Sequence, residues 1–322
     1  MRHFLITFCI LLLTGLLTLA GWYFFPLNKF SYLSSYVSPL PNFLTLAQNP
    51  QVRMLDLWLP FLSQTSASAA EDNTFTSHSI LMYDITTGKT LLSKNPKERM
   101  PMASLTKLMT VIIALENKKS DDKYVVDSSD IVGEDSMGLS SGEILSLNEL
   151  LYGVFLNSGN DAAETLAGNY QGGRSAFIKA MNEKAQALGL TDTHFTNPTG
   201  LEGDGDQYTT AYDLLVITTY MLQNFPQVVD ISENYTYDIP QTATHKEYDM
   251  TNETNLISTY PGVKGLKTGY TPEAGLCLVT YLDYDGHKIL GILLDSEDRR
   301  NEMIKLLDYS LQSEGITPPH HG

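Results

Sequence analysis

The order of secondary-structure patterns along the chain constrains its fold more than any other sequence feature. SILMYDITTGKTLLSKN, at 79–95, has the pattern of two short strands around the Thr87-Gly88 turn. Three further β-type runs follow near the other end: GVKGLKTGY, GLCLVTYLDY and HKILGILLD, with the Asp285-Gly286 hairpin signal between the last two. Helical patterns fill the region between these ends. This order predicts an α+β fold, in which N- and C-terminal strands form one antiparallel sheet covered by the inserted helices.

The helical patterns have recognisable starts. Ser146 and Glu149 have capping-box spacing, as do Thr210 and Asp213. The predicted helices cover 103–118, 146–156, 161–170, 175–189, a segment that begins at TTAYDLLVITTYML, and 298–312.

The N-terminus has the composition of a membrane segment. Residues 4–27 contain no charge over 24 positions, which exceeds the ~20 residues that a spanning helix needs. We predict a retained anchor at 1–27, a linker at 28–75 rich in Ser, Pro, Asn and Ala, and a catalytic domain at 76–322. The alternative is a cleaved leader, since Ala67-Ser68-Ala69 resembles a cleavage site after the apolar run at 54–62.

Charge and metal-ligand patterns exclude several classes of function. The net charge of −16 offers no basic face for nucleic acid. The seven His residues form no HExxH or similar pattern, so we predict no metal and no cofactor. A bond between Cys9, in the apolar segment, and Cys277, in a predicted strand, would join a membrane segment to a folded domain; we therefore predict two free thiols.

Ser104 and Lys107 form the first candidate catalytic pair. They lie one helical turn apart at the start of the apolar helix MASLTKLMTVIIALENKK. A Lys can take a proton from a Ser hydroxyl only if burial or a nearby cation lowers its pKa from ~10.4 toward neutrality. Spacing alone proves little, because Ser120 and Lys123 share it in a charged stretch, where we expect both side chains to be solvated.

Two further motifs follow in the order that acyl transfer requires. Ser158-Gly159-Asn160 lies in a tight loop between two predicted helices, where a hydroxyl and an amide can point into a cleft. Lys267-Thr268-Gly269 lies on a predicted strand and combines a cation, a hydroxyl and a Gly that lets an extended peptide approach. Each motif has an ordinary structural explanation, a turn or an exposed strand charge. Together they predict an acyl-transfer site.

These motifs resemble those of serine-type D-Ala-D-Ala carboxypeptidases, the low-molecular-mass penicillin-binding proteins that share a fold with class A β-lactamases. The resemblance runs from about 76 to 300 and includes the blocks ASLTKLMT, GLSSGEILSLNELLYG, SGNDAAETLA, FTNPTGL, TTAYDLL and VKGLKTGYTPEAG. It implies a β-lactamase/transpeptidase-like fold and a bacterial enzyme on the outer face of the cytoplasmic membrane. The implied substrate is a peptidoglycan stem peptide ending in D-Ala-D-Ala, and β-lactams would be covalent inhibitors. Many relatives carry a second C-terminal domain and an amphipathic anchor, so we expect the N-terminal segment to replace that anchor.

The resemblance also implies roles for individual residues. Ser104 would attack the carbonyl of the penultimate D-Ala, with Lys107 as general base, and Ser158 would relay a proton to the leaving amine. The remaining roles concern substrate binding: Asn160 on the substrate backbone, Lys267 and Thr268 on the terminal carboxylate beside Gly269, and the N–H groups of Ser104 and Tyr270 as oxyanion hole.

Other activities on the same fold remain open at this point. A β-lactamase needs a carboxylate that activates the deacylating water, and no E-x-x-L-N pattern occurs between Asn160 and Lys267. Glu202 falls in the right region, but its GLEGDGD setting indicates a turn. We therefore predict slow deacylation of penicillin. A DD-endopeptidase, or a penicillin-binding protein that keeps the fold without catalysis, is a further alternative.

Overall fold

A computed structural model describes residues 75–321. Its central feature within that range is a five-stranded antiparallel sheet. The strands of this sheet are β1 (Ser79–Asp84), β2 (Lys89–Lys94), β7 (Val263–Thr271), β8 (Gly275–Tyr284) and β9 (His287–Ser296). They lie side by side in the order β2-β1-β9-β8-β7. The sheet therefore combines N- and C-terminal segments as predicted, and both predicted hairpins, β1–β2 and β8–β9, are confirmed.

Helices lie between the two halves of the sheet and after its last strand. They are α1 (Lys107–Glu116), α2 (Leu147–Leu156), α3 (Asn160–Gly168), α4 (Gly173–Ala187), α5 (Ala211–Asn224), α6 (Gln227–Ser232), α7 (Leu256–Thr259) and α8 (Arg299–Ser313). Ser146 and Glu149 form the predicted capping box of α2. At α5, the Thr210 hydroxyl accepts from the Asp213 N–H, so both predicted helix starts are confirmed.

The two faces of the sheet pack against different helices. Leu81 on β1 belongs to the larger buried cluster, together with the apolar residues of α1 and α2. Its neighbours Ile80 and Met82 point the other way and belong to a second cluster with Leu307 of α8. This alternation is what a strand buried on both faces requires. The predicted α+β class, with one antiparallel sheet built from N- and C-terminal strands and covered by helices, is confirmed.

Several local features differ from the sequence prediction. The helix predicted over 103–118 begins instead with a 3-10 turn, Ala103–Thr106, before the α-helical geometry of α1. Two small antiparallel pairs were not predicted: β3 (Tyr124–Val125) with β4 (Ile144–Leu145), and β5 (Thr236–Ile239) with β6 (Tyr248–Thr251). These strands have two to four residues, too few for an alternating pattern to stand out. Helices α6 and α7, with six and four residues, were not predicted either, because they too are short.

The predictions for the N-terminus concern residues outside the described range. The segment 4–27 and the linker up to residue 74 belong to that part of the chain, as does Cys9, and the domain boundaries remain predictions. Within 75–321, no helix is both long and apolar enough to cross a bilayer. Cys277 is a buried free thiol, as predicted.

Candidate active site

Ser104, the candidate nucleophile, directly follows a residue with a strained backbone conformation and lies in the short turn before α1. Ala103 has a positive φ of 47°, an unusual conformation for a residue with a Cβ, and Ser104 follows it within the 3-10 turn. Ser104 is 9% exposed. This turn packs against β7: a Cβ added to Gly269 would lie 3.1 Å from the Ser104 nitrogen. Only a residue without a side chain allows the strand to approach the nucleophile this closely.

Lys107 is buried at the first position of α1, and its amine has three oxygen neighbours. The Nζ atom lies 2.8 Å from Ser104 Oγ, 2.7 Å from Asn160 Oδ1 and 2.8 Å from the Thr199 carbonyl oxygen. Burial, reinforced by the nearby Lys267 ammonium, holds the pKa of Lys107 well below its usual value. The side chain therefore has the electrostatic setting that a general base needs.

The hydrogen-bond inventory of these neighbours determines the direction of the amine lone pair. A neutral amine has two hydrogens and one lone pair, and the oxygens of Asn160 and Thr199 can only accept. Only the third neighbour, the Ser104 hydroxyl, can also donate. Neutral Lys107 therefore satisfies both acceptors and directs its lone pair at the Ser104 proton.

A second hydroxyl–amine pair, Ser158 and Lys267, lies near the first, close enough for its charge to lower the pKa of Lys107. Ser158 lies between α2 and α3 with a positive φ of 54°, and its Oγ accepts from Lys267 Nζ at 2.8 Å. Lys267, on β7, is 1% exposed rather than an exposed strand charge. Burial lowers its pKa to about 8, partly opposed by the carboxylates of Glu253 and Asp135. With this lowered pKa, Lys267 releases a proton more readily than an ordinary lysine, and Ser158 Oγ is in contact to receive it.

The other predicted site residues lie around these two pairs. Asn160 is 1% exposed, and its Nδ2 makes a long 3.4 Å bond to the Gly133 carbonyl while its Oδ1 holds Lys107. The Thr268 hydroxyl donates to Glu253 Oε2 at 2.7 Å. The Tyr270 side chain is 60% exposed. Thr268 and Tyr270 thus follow Lys267 on β7, and Asn160 contacts Lys107.

Three groups at this site lie outside the residues predicted from the sequence motifs. The carbonyl of Thr199 holds Lys107, and the Asn197 side chain fixes that loop by accepting from the N–H groups of Thr199 and Gly200. Arg299 donates to the Gly269 carbonyl at 2.7 Å and adds a cation behind the strand. Glu253 contacts Thr268. The FTNPTGL block contains the first group, but a backbone carbonyl leaves no signal in residue type.

Two sequence alternatives can be compared with this geometry. Ser120 and Lys123 are both exposed, which confirms that the second pair with this spacing is solvated. Glu202 is exposed as well, and its Oε1 accepts from the Glu273 N–H at 3.0 Å. Within residues 75–321, no carboxylate hydrogen-bonds to Ser104 or Lys107.

One group of side chains away from these pairs has the composition of a metal site. Potential ligand atoms of Asp84, His287 and Glu314 lie within 4.8 Å of one another. Asp84 Oδ2 lies 2.7 Å from His287 Nδ1, however, and Lys89 Nζ lies 2.9 Å from Glu314 Oε2. Because Lys89 already neutralises a carboxylate, this group fits an ion-pair network better than a metal centre.

A buried amine that directs its lone pair at a serine hydroxyl, on an α+β fold with this strand order, defines a class of protein: the serine-type acyl-transfer enzymes. The model of the D-alanyl-D-alanine carboxypeptidase family matches residues 64–298. The chain belongs to this family and is a serine peptidase.

Individual relatives agree with this assignment. The chain is 33% identical to the D-alanyl-D-alanine carboxypeptidase DacF of Bacillus subtilis, covering 79% of this chain and 68% of that protein. It is 34% identical to a D-alanyl-D-alanine endopeptidase of Pseudomonas aeruginosa, covering 76% and 83% of the two chains. Among solved structures, the ampicillin-bound form of penicillin-binding protein D2 from Listeria monocytogenes is similar with a TM-score of 0.64 and 27% identity, covering 74% and 99%.

Proposed function

We propose that this enzyme removes the terminal D-Ala from peptidoglycan stem pentapeptides through an acyl-enzyme on Ser104. The observation that carries the proposal is the environment of Lys107: a fully buried amine with two obligate acceptors and the nucleophile's hydroxyl as its third neighbour. In the first step, Lys107 takes the hydroxyl proton while Ser104 Oγ attacks the carbonyl of the penultimate D-Ala. The N–H groups of Ser104 and Tyr270 stabilise the oxyanion, at about 10²–10³ in rate per donor.

Departure of the terminal D-Ala requires a proton on its amine. Ser158 is the proposed donor, because its hydroxyl is in contact with Lys267, from which it can regain a proton. Lys267 lies 2.8 Å from Ser158 Oγ and can replace the donated proton, which its lowered pKa makes easier. The amide bond then breaks, D-Ala leaves, and water hydrolyses the ester on Ser104.

The substrate's terminal carboxylate is proposed to bind at the cationic end of β7. Lys267 and Arg299 supply positive charge there, and the Thr268 hydroxyl supplies a hydrogen bond. Gly269 lets the extended peptide lie against the strand, and Asn160 can turn its weakly held Nδ2 toward the substrate backbone. We also propose that the segment 4–27 holds the enzyme on the outer face of the cytoplasmic membrane.

The proposal is tested by D-Ala release from a peptide ending in D-Ala-D-Ala, together with mass spectrometry after penicillin treatment. The full-length protein should release D-Ala and gain one penicillin mass on Ser104, whereas Ser104→Ala should do neither. The adduct should hydrolyse slowly, since no carboxylate hydrogen-bonds to Ser104 or Lys107 among residues 75–321. Rapid multiple turnover of penicillin would contradict this, and an absent adduct would favour a silent penicillin-binding protein.

Activity is expected to depend on pH in two directions. Lys107 must be neutral to act as base, so kcat/KM should fall as pH drops through its lowered pKa. Lys267 must be protonated to attract the carboxylate, so KM should rise as pH increases through about 8. Initial rates between pH 5 and pH 10 measure both limbs. A peptide with a C-terminal amide is the control: an alkaline rise in KM that it shared equally would contradict the role of Lys267.

Endopeptidase activity is a second candidate, favoured by the relative from Pseudomonas aeruginosa. The two reactions differ in the leaving amine, not in the acyl-enzyme. Purified cross-linked muropeptides distinguish them, because an endopeptidase converts dimers to monomers, whereas a strict carboxypeptidase leaves the cross-links intact.

A further inference from the structure

The Thr268 hydroxyl is engaged by a carboxylate that belongs to the protein itself. Thr268 Oγ1 donates to Glu253 Oε2 at 2.7 Å. A hydroxyl has a single hydrogen, so it can donate to one acceptor at a time. Glu253 and a substrate carboxylate therefore compete for the same donor.

The charges around Glu253 extend this competition beyond one hydrogen bond. Burial lowers the pKa of Lys267, the cation beside Thr268, and that of Arg299, which contacts Gly269, and the Glu253 carboxylate opposes both decreases. Glu253 is thus a counter-charge for the buried Lys267 and the partly buried Arg299. An incoming carboxylate meets cations that are already partly neutralised, and it meets a like charge nearby.

The backbone at Glu253 is fixed while its side chain is exposed. The Glu253 N–H donates to the carbonyl of Leu156, the last residue of α2. Its neighbour Asn252 is 3% exposed and donates to the carbonyls of Ser232 and Asn234. Because Glu253 itself is exposed, its carboxylate can rotate into solvent without any movement of the chain.

We propose that Glu253 is an internal competitor of the substrate's terminal carboxylate: it occupies the Thr268 hydroxyl in the empty enzyme and is displaced on binding. The inference rests on the proposed carboxypeptidase function. Because displacement precedes chemistry, Glu253 raises KM and leaves kcat unchanged. The same competition applies to the carboxylate of a penicillin, whose acylation Glu253 slows.

Full-length Glu253→Ala and Glu253→Gln test this proposal at pH 7. Glu253→Ala removes both charge and acceptor, and KM for a peptide ending in D-Ala-D-Ala should fall about fivefold, the effect of one nearby unit charge in a water-exposed setting. Glu253→Gln removes only the charge and should give a smaller decrease. The second-order rate of penicillin acylation should rise by a similar factor. Because Glu253 favours the protonated form of Lys267, the rise in KM at alkaline pH should begin at a lower pH when Glu253 is absent.

Two controls make these results specific. Asp249→Asn removes an equally exposed charge from β6, four residues before Glu253, and should change neither KM nor acylation. For a D-Ala-D-Ala peptide with a C-terminal amide, which has no carboxylate to compete with Glu253, KM should be the same in Glu253→Ala as in the wild type. An unchanged or higher KM in Glu253→Ala, or an equal gain with the amide, would overturn the proposal. If wild-type protein released no D-Ala, the proposed function would fail, while penicillin acylation would still test Glu253.

Discussion

Lys107→Ala is expected to lower the second-order rate of Ser104 acylation by ~10²–10⁴, the range of a general base. The amine is the only side chain in hydrogen-bond contact with Ser104 Oγ among residues 75–321. Without it, the hydroxyl keeps its proton, and the acceptors on Asn160 and Thr199 lose their donor. Stopped-flow acylation with a fluorescent penicillin measures the rate, and Ser104→Ala sets the background.

Lys123→Ala is the matched control for this substitution. Lys123 also follows a serine by three residues, but it is exposed, and its removal should leave acylation unchanged. Thermal unfolding of each variant separates a lost base from a lost fold. A folded Lys107→Ala protein that acylated at the wild-type rate would exclude Lys107 as the base.

Gly200→Ala is expected to have the second largest effect, although Gly200 contacts no substrate in the proposed mechanism. A Cβ at this position would lie 1.9 Å from the carbonyl oxygen of Ala103, the residue before the nucleophile. Gly200 also has a φ of +92°, which disfavours any side chain. Strain and overpacking together should reduce the free energy of unfolding by ~2–5 kcal/mol. Acylation of the remaining folded protein should slow, because the Ser104 N–H of the oxyanion hole must shift.

Gly203→Ala distinguishes backbone strain from overpacking as the cause of the expected effects of Gly200→Ala. Gly203 has a similar φ of +106°, but among residues 75–321 no atom beyond its own chain neighbours lies within 4 Å of the Cβ that alanine would add. This variant should therefore lose only the ~1–2 kcal/mol of backbone strain and acylate normally. Chemical denaturation and the penicillin assay measure both quantities. Equal behaviour of the two variants would show that the close approach to Ala103 has no special importance.

The sequence was sufficient for those parts of the fold that depend on local patterns. Alternation and turn residues predicted β1, β2, β8 and β9, and cap residues predicted the starts of α2 and α5. The 3-10 turn at Ala103–Thr106 was missed because it depends on contacts with Gly269 and Gly200, which are far away in sequence. A helical pattern cannot report such tertiary contacts.

In the candidate site too, local sequence patterns identify some of the residues, whereas others depend on tertiary contacts. Ser104, Lys107, Ser158 and Lys267 could be selected from their motifs, because each motif contains the reactive side chain. The Thr199 carbonyl and Glu253 could not be selected in this way. A carbonyl is present in every residue, and an acidic residue becomes relevant only when the fold places it beside Thr268.

The strand order also determines when the enzyme can become active during folding. β1 pairs with β9, with Ser79 opposite Leu294, so the sheet closes only after nearly the whole domain has been synthesised. Such distant pairings form slowly, whereas the backbone hydrogen bonds within α1 to α5 join residues close in sequence. Until β7 joins the sheet, Gly269 does not pack against Ser104. The Lys267 charge, which helps to lower the pKa of Lys107, is also not yet in place. An unfinished chain therefore carries an unactivated serine, and reactivity appears only with the last strands.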